Sequence, residues 1–155
     1  VKVFSFYRMQ TLYKKNFSLG ALVKFHTQQK FLLLAHSRKH YEALGQLVAK
    51  PKAMSKEALK EIYGKIFMEA FTFKATQKKN TDVLLHMMGF LKKTLTKGEK
   101  ANILSTIEDY RKGLLPLIVP VALICHQVNK YKIEYLMGQV YLNPYPKELM
   151  LRNHV

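Results

Sequence analysis

Apolar residues along this chain recur at spacings of three and four, the period of one helix face, and no stretch alternates as a strand would. The segment 59–73 is typical, with apolar residues at Leu59, Ile62, Ile66, Ala70 and Phe73. The chain has 155 residues, 48% of them hydrophobic, enough to bury one core of its own. The sequence therefore predicts an all-α fold over residues 1–155, a single compact bundle of about seven to nine helices.

Helix starts are marked by side chains that can accept a hydrogen bond from a free backbone amide. The expected caps are Ser18, Ser37, Ser55, Thr81 and Thr96. Glu99 lies three residues after Thr96 and completes a capping-box pattern. Pro116 suits the first turn of a helix, whereas Pro120 predicts a kink. The expected helices cover 3–15, 19–35, 38–49, 56–75, 82–95, 97–112, a segment from 116, 134–141, and a short segment from 147.

The chain is strongly basic, with 26 Lys and Arg against 10 Asp and Glu and a net charge of +16. Such a charge favours polyanionic partners, either nucleic acid or an anionic membrane surface. Of these basic residues 22 are Lys and four are Arg. Lys is a point charge and lacks the planar fork with which Arg binds phosphates and bases. The charge thus predicts general attraction to polyanions, and the alternative is a solvated, lysine-rich surface without a ligand.

Several function classes are disfavoured because their motifs are absent from the sequence. There is no phosphate-binding loop, dinucleotide fingerprint, nucleophile elbow or His-Glu-x-x-His motif. The single cysteine, Cys125, excludes an internal disulfide and a multi-cysteine cluster. His36 and His40 have a metal-binding spacing, but Ser37 interrupts the helix between them, so we expect neither metal nor cofactor. The apolar run 114–125 is too short for a membrane span, and we expect a cytoplasmic protein.

Polar side chains distributed along the predicted helices indicate a candidate binding site. We expect a single polar cleft formed by His26, Lys30, His36, Tyr41, His86, Lys92, Tyr110, Arg111 and Arg152. The alternative for each histidine alone is a packed core residue. Aromatic residues also interleave with basic ones, as in Tyr131, Lys132 and Tyr135, a combination that holds single-stranded nucleic acid. Aromatic residues at helical spacing can equally belong to the core.

A series of motifs in a fixed order resembles the YbgA family of bacterial domains. The motifs are the segment 22–30 with His26 and Lys30, the segment 33–48 with His36 and Tyr41, the segment 82–92 with His86 and Lys92, and the carboxy-terminal runs 107–120 and 141–153. The resemblance implies a domain that occurs alone or behind an iron–sulfur domain similar to thiouridine and thiouracil desulfidases. The cysteines of that partner are absent here, so its activity is not carried over. The start at Val1 fits either a domain cut from such a longer chain or a lone family member that has lost a short leader.

Three functions are consistent with these observations. The leading hypothesis is a non-catalytic accessory module that binds RNA, such as tRNA, or a nucleotide, with cations on phosphates and aromatic rings on bases. The second is an enzyme that acts on a nucleobase or nucleoside, with His36 or His86 as general acid and base. The third is a structural domain that forms homo-oligomers or supports a catalytic partner.

Overall fold

The computed structural model of the protein describes residues 1–51 and 54–145, and these ranges contain eight α-helices and no strand. The helices are α1 (Lys2–Lys14), α2 (Leu19–His36), α3 (Arg38–Ala49), α4 (Lys56–Ala70), α5 (Gln77–Leu91), α6 (Lys97–Arg111), α7 (Ile118–Lys130) and α8 (Glu134–Met137), and a 3-10 helix covers Val140–Leu142. The predicted all-α bundle is confirmed. No helix in the two described ranges is both long and apolar enough to cross a membrane.

Four of the predicted helix caps form in the structure. Side-chain oxygens of Ser18, Ser37 and Ser55 each accept a hydrogen bond from the backbone amide three residues later. At the start of α6, the amide of Glu99 donates to Thr96 Oγ1 at 3.2 Å and the amide of Thr96 donates to Glu99 Oε2 at 2.9 Å. The start of each of these helices is therefore fixed by a local side-chain interaction that the sequence reveals.

The start of α5 differs from the prediction. The helix begins at Gln77, and Thr76 caps it by accepting from the amide of Lys79 at 3.2 Å. Thr81 lies inside the helix, where it is buried and its hydroxyl donates to the carbonyl of Gln77 at 2.8 Å. A threonine hydroxyl can form its hydrogen bond either at a helix cap or within a helix. Burial of Thr81 together with Asn80, Val83 and Leu84 places it within the helix. The expected cap at Thr81 is wrong.

Helix ends were predicted less well than helix starts. Helix α4 was expected to reach residue 75 but ends at Ala70. The amides of Thr72 and Phe73 donate to the carbonyls three residues earlier, those of Glu69 and Ala70, and so form turns instead of a further helical turn. Helix α8 is a single turn, and the 3-10 helix replaces the remainder of the expected segment 134–141. The expected segment from 147 lies outside the described residues.

Pro120 does not need to kink a helix, so that prediction is wrong. Helix α7 begins at Ile118, which places Pro120 in the first turn. Amides in a first turn have no partner within the helix, so the missing N–H of proline costs nothing there. The prediction placed the helix start at Pro116, which instead lies in the connection before α7.

Helix α2 lies at the centre of the bundle and contacts α1, α3, α5 and the 3-10 helix. Residues 31–35 are all buried, so this segment contacts protein on every side. A helix that is apolar around its whole circumference is typical of a buried position. The two ends of α2 approach the surface, and in its C-terminal half Phe31 meets His86 of α5 and Tyr135 of α8.

Candidate functional site

Three aromatic rings from two helices form a stack at the surface. His86 and Phe90, one turn apart on α5, have ring centroids 5.7 Å apart with planes 23° from parallel. Tyr135 of α8 continues the series, 4.9 Å from Phe90 with planes 27° from parallel. His86 is exposed, and Phe90 and Tyr135 remain 40% and 37% exposed. We call His86, Phe90 and Tyr135 the ring stack.

A single buried ring supports the ring stack from below. Phe31 of α2 is fully buried and meets all three rings edge to face, at 5.3 Å from His86, 6.1 Å from Phe90 and 6.5 Å from Tyr135. Edge-to-face contacts of this kind are favourable because ring edges are positive and ring faces negative. Phe31 therefore fixes the stack in position, although it is itself inaccessible.

Lys30, the neighbour of Phe31, adds a positive charge to the ring stack. Its Nζ lies 5.3 Å from the centroid of Phe31, 5.8 Å from that of Phe90 and 5.9 Å from that of Tyr135. Cation–π attraction therefore holds the ammonium group against the rings. Among residues 1–51 and 54–145, no carboxylate forms an ion pair with Lys30. Its charge is available to an external anion.

A second cation approaches the ring stack from α3. Arg38 shares a hollow of about 80 Å³ with Lys79, Asp82 and His86. Lys79 donates to the carbonyls of His36 and Lys74, at 2.7 and 3.2 Å, and so closes the end of α2. Partial burial, followed by the positive charges of Lys30 and Arg38, lowers the pKa of His86 below its ordinary value of 6.5. We call Lys30, Arg38 and the ring stack the α5 strip.

Net charge alone would not single out this surface. Each of α1 to α7 carries at least one exposed Lys or Arg, so positive charge is spread over the bundle. A one-sided basic face is thus not what distinguishes the α5 strip. What distinguishes it is the combination of exposed stacked rings with two cations, Lys30 and Arg38, that form no ion pair with the carboxylates of residues 1–51 and 54–145.

His26 and Tyr41, both predicted for the cleft, lie together but face the interior. Their rings are stacked at 5.1 Å with planes 6° from parallel, and His26 Nδ1 is 3.2 Å from the Tyr63 hydroxyl. Burial lowers the pKa of His26 to about 4, so its imidazole is neutral at pH 7. This pair has the contacts of a core interaction.

The other predicted residues lie in different places. His36 is half-buried, and its Nδ1 is 2.7 Å from the carbonyl of Phe73. Tyr110 is buried at the end of α6, and the neighbouring Arg111 binds Glu108 through two bonds of 2.6 and 2.7 Å. Lys92 is exposed beyond the last turn of α5. Arg152 lies outside the described residues.

The structure thus brings Lys30 and His86 together, whereas His26, His36, Tyr41, Tyr110 and Arg111 make their contacts elsewhere in the bundle. Sequence reasoning paired His86 with Phe90 and noted Tyr135 among aromatic residues, but it did not join the two groups. The sequence drew attention to Arg38 only as one of four arginines. No feature of the sequence indicated that Phe31 belongs to the site. Among the described residues, no group of three His, Cys, Asp or Glu could hold a metal ion.

Comparison with known proteins gives two matches. A family model described as "Protein of unknown function (DUF1722)" matches residues 30–146. The chain is 27% identical over 154 residues to the "Uncharacterized protein YbgA" of Escherichia coli (strain K12), covering 99% of this chain and 91% of that protein. No solved structure matches the chain. All residues of the α5 strip fall within the segment that the family model covers.

Proposed function

We propose that this chain, which belongs to the DUF1722 family, binds single-stranded RNA through the α5 strip. Membership confirms the resemblance to YbgA drawn from the sequence motifs. The observation that carries the proposal is the exposed ring stack of His86, Phe90 and Tyr135, with Lys30 held against it.

The chemistry of the strip suits unpaired bases. Every base has a flat π face, and stacking on an aromatic side chain stabilises binding by roughly 1–3 kcal/mol per base. Bases inside a duplex are already stacked on their neighbours and cannot reach a protein ring. Lys30 and Arg38 supply charge for the phosphates of a strand whose bases contact Phe90 or Tyr135. This arrangement favours affinity with little sequence preference, in keeping with the predominance of Lys over Arg.

RNA is favoured over DNA by the family resemblance. The desulfidase-like domain that the resemblance implies as a partner acts on thiolated uridine or uracil. In such an arrangement the present chain is a non-catalytic accessory module that holds the RNA, and the iron–sulfur domain supplies the chemistry. Regions of tRNA with unpaired bases are suitable ligands for the α5 strip on the same grounds.

The direct test is fluorescence anisotropy with labelled RNA of about 12 unpaired nucleotides, a matched DNA strand and a matched RNA duplex. Titrations run from about 50 to 200 mM salt, because phosphate contacts make the logarithm of the affinity fall linearly with the logarithm of the salt concentration. We expect the unpaired RNA to bind more tightly than the duplex, with a clear salt dependence. Heparin, a polyanion without bases, serves as a competitor. If the chain bound the duplex and heparin as tightly as the unpaired RNA, or bound no RNA, the proposal would be contradicted.

A further inference from the structure

A second candidate site lies in a cavity of about 420 Å³, between the C-terminal half of α2 and the start of α7. Its walls include Leu32 and Ala35 of α2, Leu117 and Val121 around the start of α7, and Tyr141 of the 3-10 helix. Small-molecule sites in proteins commonly have volumes of about 300–1,000 Å³ and mostly apolar walls. The size and lining of this cavity match that description.

The lining favours an apolar ligand. Among residues 1–51 and 54–145, no Lys, Arg, Asp or Glu side chain lines the cavity, and the charged group on its wall is the α-amino group of Val1, whose positive charge reaches His36. A phosphate or carboxylate would find no charged side chain among these described wall residues and would lose most of its hydration against apolar groups. The cavity therefore differs in ligand chemistry from the α5 strip, with which it shares no residue.

Water is a poor occupant of the same space. A bound water needs two to four polar partners, and apolar walls supply few. Two of the polar side chains on the wall, Asn80 and Tyr141, satisfy each other in part, because the Tyr141 hydroxyl donates to Asn80 Oδ1 at 2.8 Å. Protein interiors rarely keep large empty volumes. An apolar ligand would fill the space with a smaller loss of hydration free energy than a polar one.

His36 supplies one hydrogen-bond acceptor on the cavity wall. A carbonyl oxygen can only accept, so Nδ1 of His36 carries the proton and donates to Phe73 at 2.7 Å. Burial lowers the pKa of His36, which keeps the ring neutral at pH 7. In the neutral ring Nε2 is then an acceptor, and no group in the described part of the chain hydrogen-bonds it.

We infer that this cavity binds an uncharged, largely apolar small molecule that donates one hydrogen bond to Nε2 of His36. The inference is independent of RNA binding by the α5 strip, and either can fail alone.

The test uses N-phenyl-1-naphthylamine, an uncharged fluorescent probe with a single N–H donor, titrated into the full chain. We expect saturable binding of one probe per chain. The Ile118→Trp variant places a large side chain at the cavity wall, and because Ile118 is half exposed we expect the fold to tolerate the change. We expect it to weaken probe binding at least about tenfold. Leu114→Trp is the matched control, because Leu114 is exposed and does not line the cavity.

A second variant tests the hydrogen bond. His36→Phe keeps an aromatic ring and removes the acceptor, so affinity for the probe should fall about three- to tenfold. Affinity for 1-phenylnaphthalene, which has no N–H donor, should change little. If Ile118→Trp does not fold, Ala75→Trp blocks the same cavity from an exposed position. Probe binding that is absent, or equal in the Ile118→Trp and Leu114→Trp variants, would overturn the inference.

Discussion

Phe90 and Tyr135 lie ring against ring, 4.9 Å apart, although one belongs to α5 and the other to the short helix α8. The neighbour of Tyr135, Leu136, is fully buried in the core and anchors α8. Just after α8, the Gln139 side chain donates to the carbonyl of Thr27 at 2.8 Å and ties the chain to α2. Core packing thus holds Tyr135 at the surface beside Phe90, and stacking does not depend on a flexible loop.

The cations of the α5 strip should contribute directly to RNA affinity. Lys30→Gln and Arg38→Gln each remove one charge, so each should weaken binding and reduce the slope of log affinity against log salt by about 0.7. The matched controls are Lys24→Gln and Lys39→Gln, which remove exposed charges from the same two helices outside the strip. Anisotropy at several salt concentrations measures both quantities. Equal slopes for strip and control variants would contradict a specific role for Lys30 and Arg38.

RNA binding should strengthen as the pH falls, through His86. Partial burial and then the charges of Lys30 and Arg38 lower its pKa in the free protein, where Lys79 and Asp82 are the other charged groups beside it. Bound phosphates would raise that pKa, so binding takes up a proton and affinity increases from about pH 7.5 to 5.5. His86→Gln should flatten this dependence, while His126→Gln, at an exposed position outside the strip, should retain it. Identical pH profiles in both variants would assign the effect elsewhere.

Fold stability should have the opposite pH dependence, because of His26. Its pKa is about 4 in the folded protein against an ordinary value of 6.5, so the unfolded chain binds more protons between these values. The free energy of unfolding therefore decreases as pH falls from about 6.5 to 4, by at most roughly 3 kcal/mol from this group. Urea denaturation at several pH values measures the slope. In the His26→Gln variant we expect the free energy of unfolding to change less with pH. A pH dependence as steep as that of the unaltered chain would contradict this assignment.

The capping box at the start of α6 should contribute measurably to stability. Thr96→Ala removes the acceptor for the Glu99 amide and should lower the free energy of unfolding by about 1 kcal/mol. Thr94→Ala is the control, because Thr94 is exposed and lies before the helix. Chemical denaturation of the two variants compares the effects. Equal midpoints would mean that tertiary contacts such as those of Glu99 with Lys130 and Tyr131 fix the helix start instead.

Helix starts were predictable where one residue alone could act as a cap, as at Ser18, Ser37 and Ser55. The start of α5 was not predictable, because either Thr76 or Thr81 could act as the cap. The choice between them depends on which of the two is buried in the bundle. Pro120 was misjudged for a related reason. Its cost depends on its distance from a helix start, which the apolar run 114–125 does not reveal.

The candidate site was predictable only in part. Lys30 and His86 were expected to share a surface, and they share one around Phe31. The role of Phe31 itself could not be predicted, since one more Phe in a buried segment resembles any other core residue. Arg38 and Tyr135 join the strip through the packing of α3 and α8 against α5, and no local pattern encodes such contacts between distant segments.

The most direct measurement compares RNA affinity of the Phe90→Ala and Phe6→Ala variants with that of the unaltered chain. Both residues are exposed aromatic side chains, at 40% and 48%, but only Phe90 belongs to the ring stack. Loss of one stacked base predicts about tenfold weaker binding for Phe90→Ala at constant salt, with Phe6→Ala unchanged. If Phe90→Ala binds single-stranded RNA as tightly as Phe6→Ala does, the α5 strip is not the RNA-binding surface.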